Sequence, residues 1–127
     1  MDTESFVGAY RTPRKRANCF YRHAMWRRLV YSDGVKECLE AGLYWLMDIV
    51  GTECVKPVLD SALTTMAILQ VDVLDGRASL RIDMQSDTPP VWTKRVRYTD
   101  MPDGRWTFLL AKGDVYRELK AILPTEY

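Results

Sequence analysis

An α+β fold, with N-terminal helices packed on one face of a four-stranded antiparallel meander, is what this sequence predicts. Three observations carry the prediction. Apolar residues recur at helical intervals in the first half of the chain, they alternate with polar ones after Thr64, and short turn signals separate the alternating runs. No internal repeat or low-complexity tract interrupts this order, and at 127 residues the chain fits one domain with a real core.

The elements follow in turn. Residues 1–12 show no sustained periodicity and read as a flexible arm, leaving 13–127 as a single α+β domain. Thr12 and Pro13 form a helix start, Thr12 as cap and Pro13 at the first helical position, where a missing N–H costs nothing. Ala17, Phe20, Tyr21, Ala24, Met25 and Leu29 then mark the apolar face of a first helix. Tyr31-Ser32-Asp33-Gly34 breaks it, and Ser32 or Asp33 caps a second helix with Val35, Cys38, Leu39, Leu43, Leu46, Ile49 and Val50 inward. Around Tyr44-Trp45-Leu46-Met47 that helix is apolar nearly all round, which predicts the buried centre of the domain and a buried Asp48 within it. Gly42 predicts a close crossing or a kink, and Gly51 a loosening or an end.

Ala67, Leu69, Val71 and Val73 share one face of a strand. Asp75-Gly76 turns it into a second strand, with Ala78, Leu80, Ile82 and Met84 on one face and Ser79, Arg81, Asp83 and Gln85 on the other. After a loop at residues 86–90 comes a third strand, Val91 to Thr99, with Trp92, Val96 and Tyr98 on one side and Thr93, Arg95 and Arg97 on the other. Met101-Pro102-Asp103-Gly104 turns into a fourth, Arg105 to Ala111, and a short segment closes at Leu123-Pro124.

Composition bounds the function. With 47% hydrophobic and 28% charged residues, four Trp and seven Tyr, the chain is too apolar for a disordered protein. No run approaches the ~20 apolar residues of a membrane span, and Met1-Asp2-Thr3-Glu4 does not resemble a secretory leader, so a cytoplasmic protein is expected. Cys19, Cys38 and Cys54, odd in number and unpatterned, predict reduced thiols buried as small hydrophobes. The net charge of +1 hides an asymmetry: before Val30 seven basic residues (Arg11, Arg14, Lys15, Arg16, Arg22, Arg27, Arg28) face two acids, whereas the remainder holds eleven basic and fifteen acidic side chains. That excess of acids is too small for a mimic of nucleic acid.

Chemistry is sparse. His23 is the one histidine; with Cys19 a helical turn away, and with Cys38 and Cys54, it could complete a zinc site, but structural zinc pairs lie two to four residues apart on turns and these do not. A Cys19–His23 nucleophile lacks a marked third residue to orient the base. No phosphate-cradling glycine loop or nucleophile elbow is present. No catalytic residue, metal or cofactor is therefore expected.

The remaining signal is positive charge interleaved with aromatics. Arg14, Lys15, Arg16, Arg22, Trp26, Arg27 and Arg28, with Arg95 and Arg97 on the sheet, are residue types that contact phosphates and stack on bases. Their bland alternative is a solvated basic face, and Arg81 and its neighbours could simply pair with Asp83.

Several blocks resemble a family of small proteins of unknown function encoded by phages, plasmids and bacterial genomes. They are Tyr21-Arg22-His23, Leu29 to Val35, Ala41 to Ile49, Thr93-Lys94, Tyr98 to Pro102 and Leu123 to Tyr127. The similarity covers about residues 19–127. It implies a mobile-element origin and assigns no activity. Small phage proteins without catalytic residues commonly block a host machine, and inhibitors of bacterial CRISPR defence resemble this chain in size. The expected function is therefore non-enzymatic binding and inhibition of a host protein or ribonucleoprotein complex that handles nucleic acid. The alternatives are direct nucleic-acid binding through the basic N-terminal helix and an enzyme centred on His23, Cys19 and Asp48.

Overall fold

Residues 1–12, expected as a flexible arm, carry a nine-residue helix, α1 (Thr3–Arg11), in the computed structural model. The structure describes residues 1–13, 17, 19–60, 66–84, 89–113 and 117–127. Asp2 caps α1, its carboxylate accepting from the Ser5 N–H at 3.1 Å and the Ser5 hydroxyl at 2.8 Å. Phe6 and Ala9 are buried, and the rings of Phe6 and Tyr10 meet Trp106 edge-on at 4.9 and 5.0 Å. So narrow an apolar stripe, interrupted by Gly8, has little periodicity to read.

The helix expected between Pro13 and Leu29 is replaced, from residue 20 on, by two short strands. Strand β1 (Phe20–Arg22) pairs antiparallel with β2 (Leu29–Ser32), Tyr21 opposite Tyr31. Two effects override the helical spacing. Phe-Tyr and Leu-Val-Tyr suit a pleated surface, and the His23 ring draws the Met25 and Trp26 N–H groups onto Nδ1 at 3.1 Å each, closing a turn with donors that a helix would give to carbonyls. Met25, expected on the apolar face, is 76% exposed.

The second helix begins where expected. Ser32 caps α2 (Asp33–Cys38), accepting the Val35 N–H at 3.1 Å. The chain then passes through a π-helical turn at Leu39–Leu43, α3 (Tyr44–Ile49), a second π-helical turn at Val50–Cys54, and α4 (Val55–Asp60). Gly42 is the expected kink. Its φ of +120° lies where side chains are strained, and a Cβ there would fall 2.9 Å from the Met1 Cα. Gly51 loosens the helix without ending it. Asp48, expected among buried residues, lies on the exposed face.

Among the described residues the sheet has seven strands rather than the expected four. After β3 (Met66–Leu74) and β4 (Arg77–Asp83), joined at Asp75-Gly76, come β5 (Trp92–Val96), β6 (Gly104–Lys112) and β7 (Leu119–Ile122). The order across the sheet is β1-β2-β7-β6-β3-β4-β5, every pairing antiparallel except β2 with β7. The expected meander holds for β3-β4-β5 only. Strand β6 returns to the far side of β3, a Greek-key arrangement, and the hydrophobic effect explains why. Trp106, Phe108 and Leu110 make β6 too apolar for an edge, whereas Lys94 and Arg95 suit β5 to one.

All helices cover one face. Ala67, Leu69, Val71, Val73, Ala78, Leu80, Ile82, Trp106, Phe108 and Leu110 point into one continuous core with Val35, Leu39, Leu43, Leu46, Met47 and Val58. Residues of opposite parity, among them Ser79, Arg81, Thr93, Arg95 and Arg105, form an open face.

The end of the chain locks onto the start of α2. Glu126 is 4% exposed, and its carboxylate accepts from the Ser32 hydroxyl at 2.5 Å, the Leu123 N–H at 2.9 Å and the Gly34 N–H at 3.2 Å. A Cβ on Gly34 would fall 2.8 Å from that carboxyl group, which is why glycine stands there.

Candidate functional site

Seven strands separate the expected basic residues into two groups on opposite edges of the sheet, roughly 29 Å apart at ~4.8 Å per strand spacing. Arg14, Lys15 and Arg16 lie outside the described residues. Arg22, Trp26, Arg27 and Arg28 belong to the β1-β2 edge, Arg95 and Arg97 to the β5 edge.

Among the described residues of the β1-β2 edge, Arg22 and Arg28 are engaged within the fold. Arg22 donates to the Arg27 carbonyl and pairs with Glu118 at 3.0 Å. Arg28 donates to the Arg117 carbonyl at 3.2 Å. Trp26 packs closely against Gly51, where an added Cβ would meet its ring at 2.5 Å. Of the four, Arg27 alone presents a charged side chain with no partner among the described residues. These contacts hold the β1-β2 turn against the second π-helical turn and the end of the sheet.

His23 and Asp48 do meet, Nε2 to carboxylate oxygen at 2.9 Å. The ring is nonetheless committed. Backbone N–H groups can only donate, so Nδ1 is the acceptor for Met25 and Trp26, and the neutral ring carries its proton on Nε2, toward Asp48. Neither nitrogen is left to take a proton from a substrate. The Cys19 thiol is exposed, against expectation, while Cys38 and Cys54 are buried as expected. Burial, with the Glu53 charge adding to it, pushes the Cys54 thiol up to about 12. Among the described residues no three or more His, Cys, Asp or Glu side chains are grouped to hold a metal ion.

The β5 edge is different. Arg77, Ser79, Arg95, Arg97 and Tyr98 line an open groove of about 820 Å³, with Ala78 and Val96 at its base. Register explains the clustering. Ser79 pairs with Arg95 and Ala78 with Val96, so Arg77 and Arg97 flank the last paired residues side by side. Next to the groove on the open face, Arg105 pairs with Asp72 at 2.7 Å, and Arg81 with Asp83 at 3.0 Å and with Gln70 at 2.9 Å. Arg77, Arg95 and Arg97 have no ion-pair partner among the described residues. Tyr98, expected beside Trp92 and Val96, is 89% exposed at the rim.

A family of unknown function, DUF6876, matches residues 14–127. The chain belongs to DUF6876. No curated protein and no solved structure matches it. The DUF6876 span starts beyond α1, so the helix that covers Trp106 lies outside the matched region. Within it, the blocks that suggested a family meet as structure: Tyr21 with Tyr31, His23 with Asp48, Ser32 and Gly34 with Glu126. These contacts join distant parts of the fold.

Sequence reasoning reached Arg95 and Arg97 but missed Arg77 and Tyr98. Arg77 directly follows the Asp75-Gly76 turn, so pairing the hairpin with the next strand would have placed it beside Arg97. Among the described residues no helix is long and apolar enough to cross a membrane.

Proposed function

We propose that this protein acts by binding rather than turnover, docking in the cytoplasm on a host complex that handles nucleic acid and inhibiting it, as an accessory protein of a phage or other mobile element. The observation that carries the reading is the groove of three arginines without an ion-pair partner among the described residues. Like charges set side by side on neighbouring strands weaken a sheet, and local rules of stability are most often broken at working surfaces. The committed state of His23 supports binding over catalysis. On this reading the β5 edge is the docking surface, and Arg22 and Arg28, engaged within the fold, are not part of it.

Affinity capture from bacterial cells tests this. Tagged wild-type protein is expected to retain a defined nucleic-acid-handling complex and to lower its activity on addition, and R77Q/R95Q/R97Q to do neither. Equal capture by the variant, or capture confined to proteins without a nucleic-acid function, overturns the reading.

A further inference from the structure

We infer that the β4-β5 groove binds the phosphate backbone of a single nucleic-acid strand, with Tyr98 as a stacking platform for one of its bases. The inference rests on the docking proposed above and names what that docking touches: an exposed strand within the complex. Three features of the groove specify the occupant. Arg77, Arg95 and Arg97 present guanidinium forks, which match phosphate oxygens bidentately, and the carboxylates of Asp72 and Asp75 line the neighbouring hollow that shares Arg77 and Ser79 rather than the groove itself. Ser79 adds a neutral hydroxyl between Arg77 and Arg95. Tyr98, 89% exposed beside the arginines, offers a ring face on which an unstacked base can stack. A duplex keeps its bases stacked. Reading its groove takes a helix or a two-stranded ribbon, and this site is concave.

The groove also continues along the open face. Asp72, Ser79, Arg81, Thr93, Lys94 and Arg95 line an adjoining hollow. Because Arg81 and Lys94 are already paired, with Asp83 and Glu53, the free positive charge stays at the Arg77-Arg97 end. A strand entering there meets its strongest contacts first.

The experiment is fluorescence anisotropy with a labelled oligothymidylate of about fifteen nucleotides, a duplex of the same length and the full-length protein. Three phosphate contacts on a single strand predict a log–log salt slope of about −2, so binding weakens about twentyfold between about 50 and 200 mM salt. R77Q/R95Q/R97Q should weaken low-salt binding at least about tenfold and flatten the slope. Y98A should weaken it about fivefold or more with the slope unchanged, since stacking carries no counterion release. R27Q, on the far edge, should bind as wild type. These side chains are exposed, so no fall in the unfolding midpoint is expected to accompany any loss, and R77Q/R95Q/R97Q, relieved of like-charge repulsion, should melt no lower than wild type.

The inference fails if no oligothymidylate binds at low salt, if R27Q rather than the groove variants loses binding, or if the duplex binds as tightly. It fails too if poly-glutamate displaces the strand at equal charge concentration, which would make the occupant an acidic protein. When the host complex is captured through the groove but bare strands are not bound, this inference falls and the docking proposal stands.

Discussion

Glu126 offers the sharpest test of how the ends of this fold are held. Its carboxylate is 4% exposed and accepts three hydrogen bonds, two on Oε1 from the Ser32 hydroxyl and the Leu123 N–H and one on Oε2 from the Gly34 N–H. In Glu126→Gln one oxygen can keep the Oε1 contacts, but the amide nitrogen then faces the Gly34 N–H, donor against donor. One bond to a charged group is lost and a buried donor is stranded, a cost of about 1.5–3 kcal/mol. For a chain of this size that lowers Tm by roughly 5–12 °C. Glu126→Ala removes all three acceptors and should cost more. Ser32→Ala alone loses the α2 cap, worth about 1 kcal/mol, together with its bond to Glu126. In the Glu126→Ala background it should lose the cap alone, leaving a coupling of about 1–2 kcal/mol. Urea unfolding of the four proteins measures this cycle. A Glu126→Gln penalty under about 0.5 kcal/mol, or additive single effects, would refute the carboxylate latch.

Further outcomes follow from single residues. Gly42→Ala should destabilise by about 2 kcal/mol or more, from strain at φ +120° and contact with Met1. Gly8→Ala, in the open interior of α1, should stabilise by about 0.5–1 kcal/mol; in denaturant melts, a Gly42→Ala protein as stable as wild type would contradict the first and a destabilised Gly8→Ala protein the second. Iodoacetamide at about pH 8 should modify Cys19 and spare Cys38 and Cys54 until the protein unfolds, as counted by mass spectrometry; rapid native labelling of Cys54 would show that its burial is wrong. The Ser5 N–H and hydroxyl hold the Asp2 carboxyl below its ordinary value of 3.8. Its contribution to α1 is therefore complete above that value and lost as the pH falls through the lowered one. Carbon-detected NMR titration should show this, and an Asp2 titrating at or above 3.8 would not fit.

Much of the β half was legible because period-two alternation and a two-residue Asp-Gly turn are local signals. The β3-β4 hairpin, its inward face and the start of β6 all lie where the pattern puts them. What escaped is non-local. The parallel pairing of Leu29–Tyr31 with Leu119–Ala121 joins segments some ninety residues apart, and Phe20 to Leu29 reads as a helix until the His23 ring is seen drawing backbone donors into a turn. Helix α1 went unread because its stripe is narrow and it is held by Trp106 from the other end of the chain. The candidate site follows the same division. Arg95 and Arg97 could be assigned to a polar strand face, but the groove exists only because β4 places Arg77 beside them. Arg22 and Arg28, marked by positive charge interleaved with aromatics, find partners in Glu118 and the Arg117 carbonyl that no local pattern reveals.

Amide hydrogen exchange of the protein, free and in its captured complex, tests most directly whether the β5 edge is the working surface. Protection gained at residues 77–79 and 95–98, with the 20–28 segment unchanged, is the predicted result. Protection confined to 20–28, with the groove exchanging as in the free protein, would contradict it.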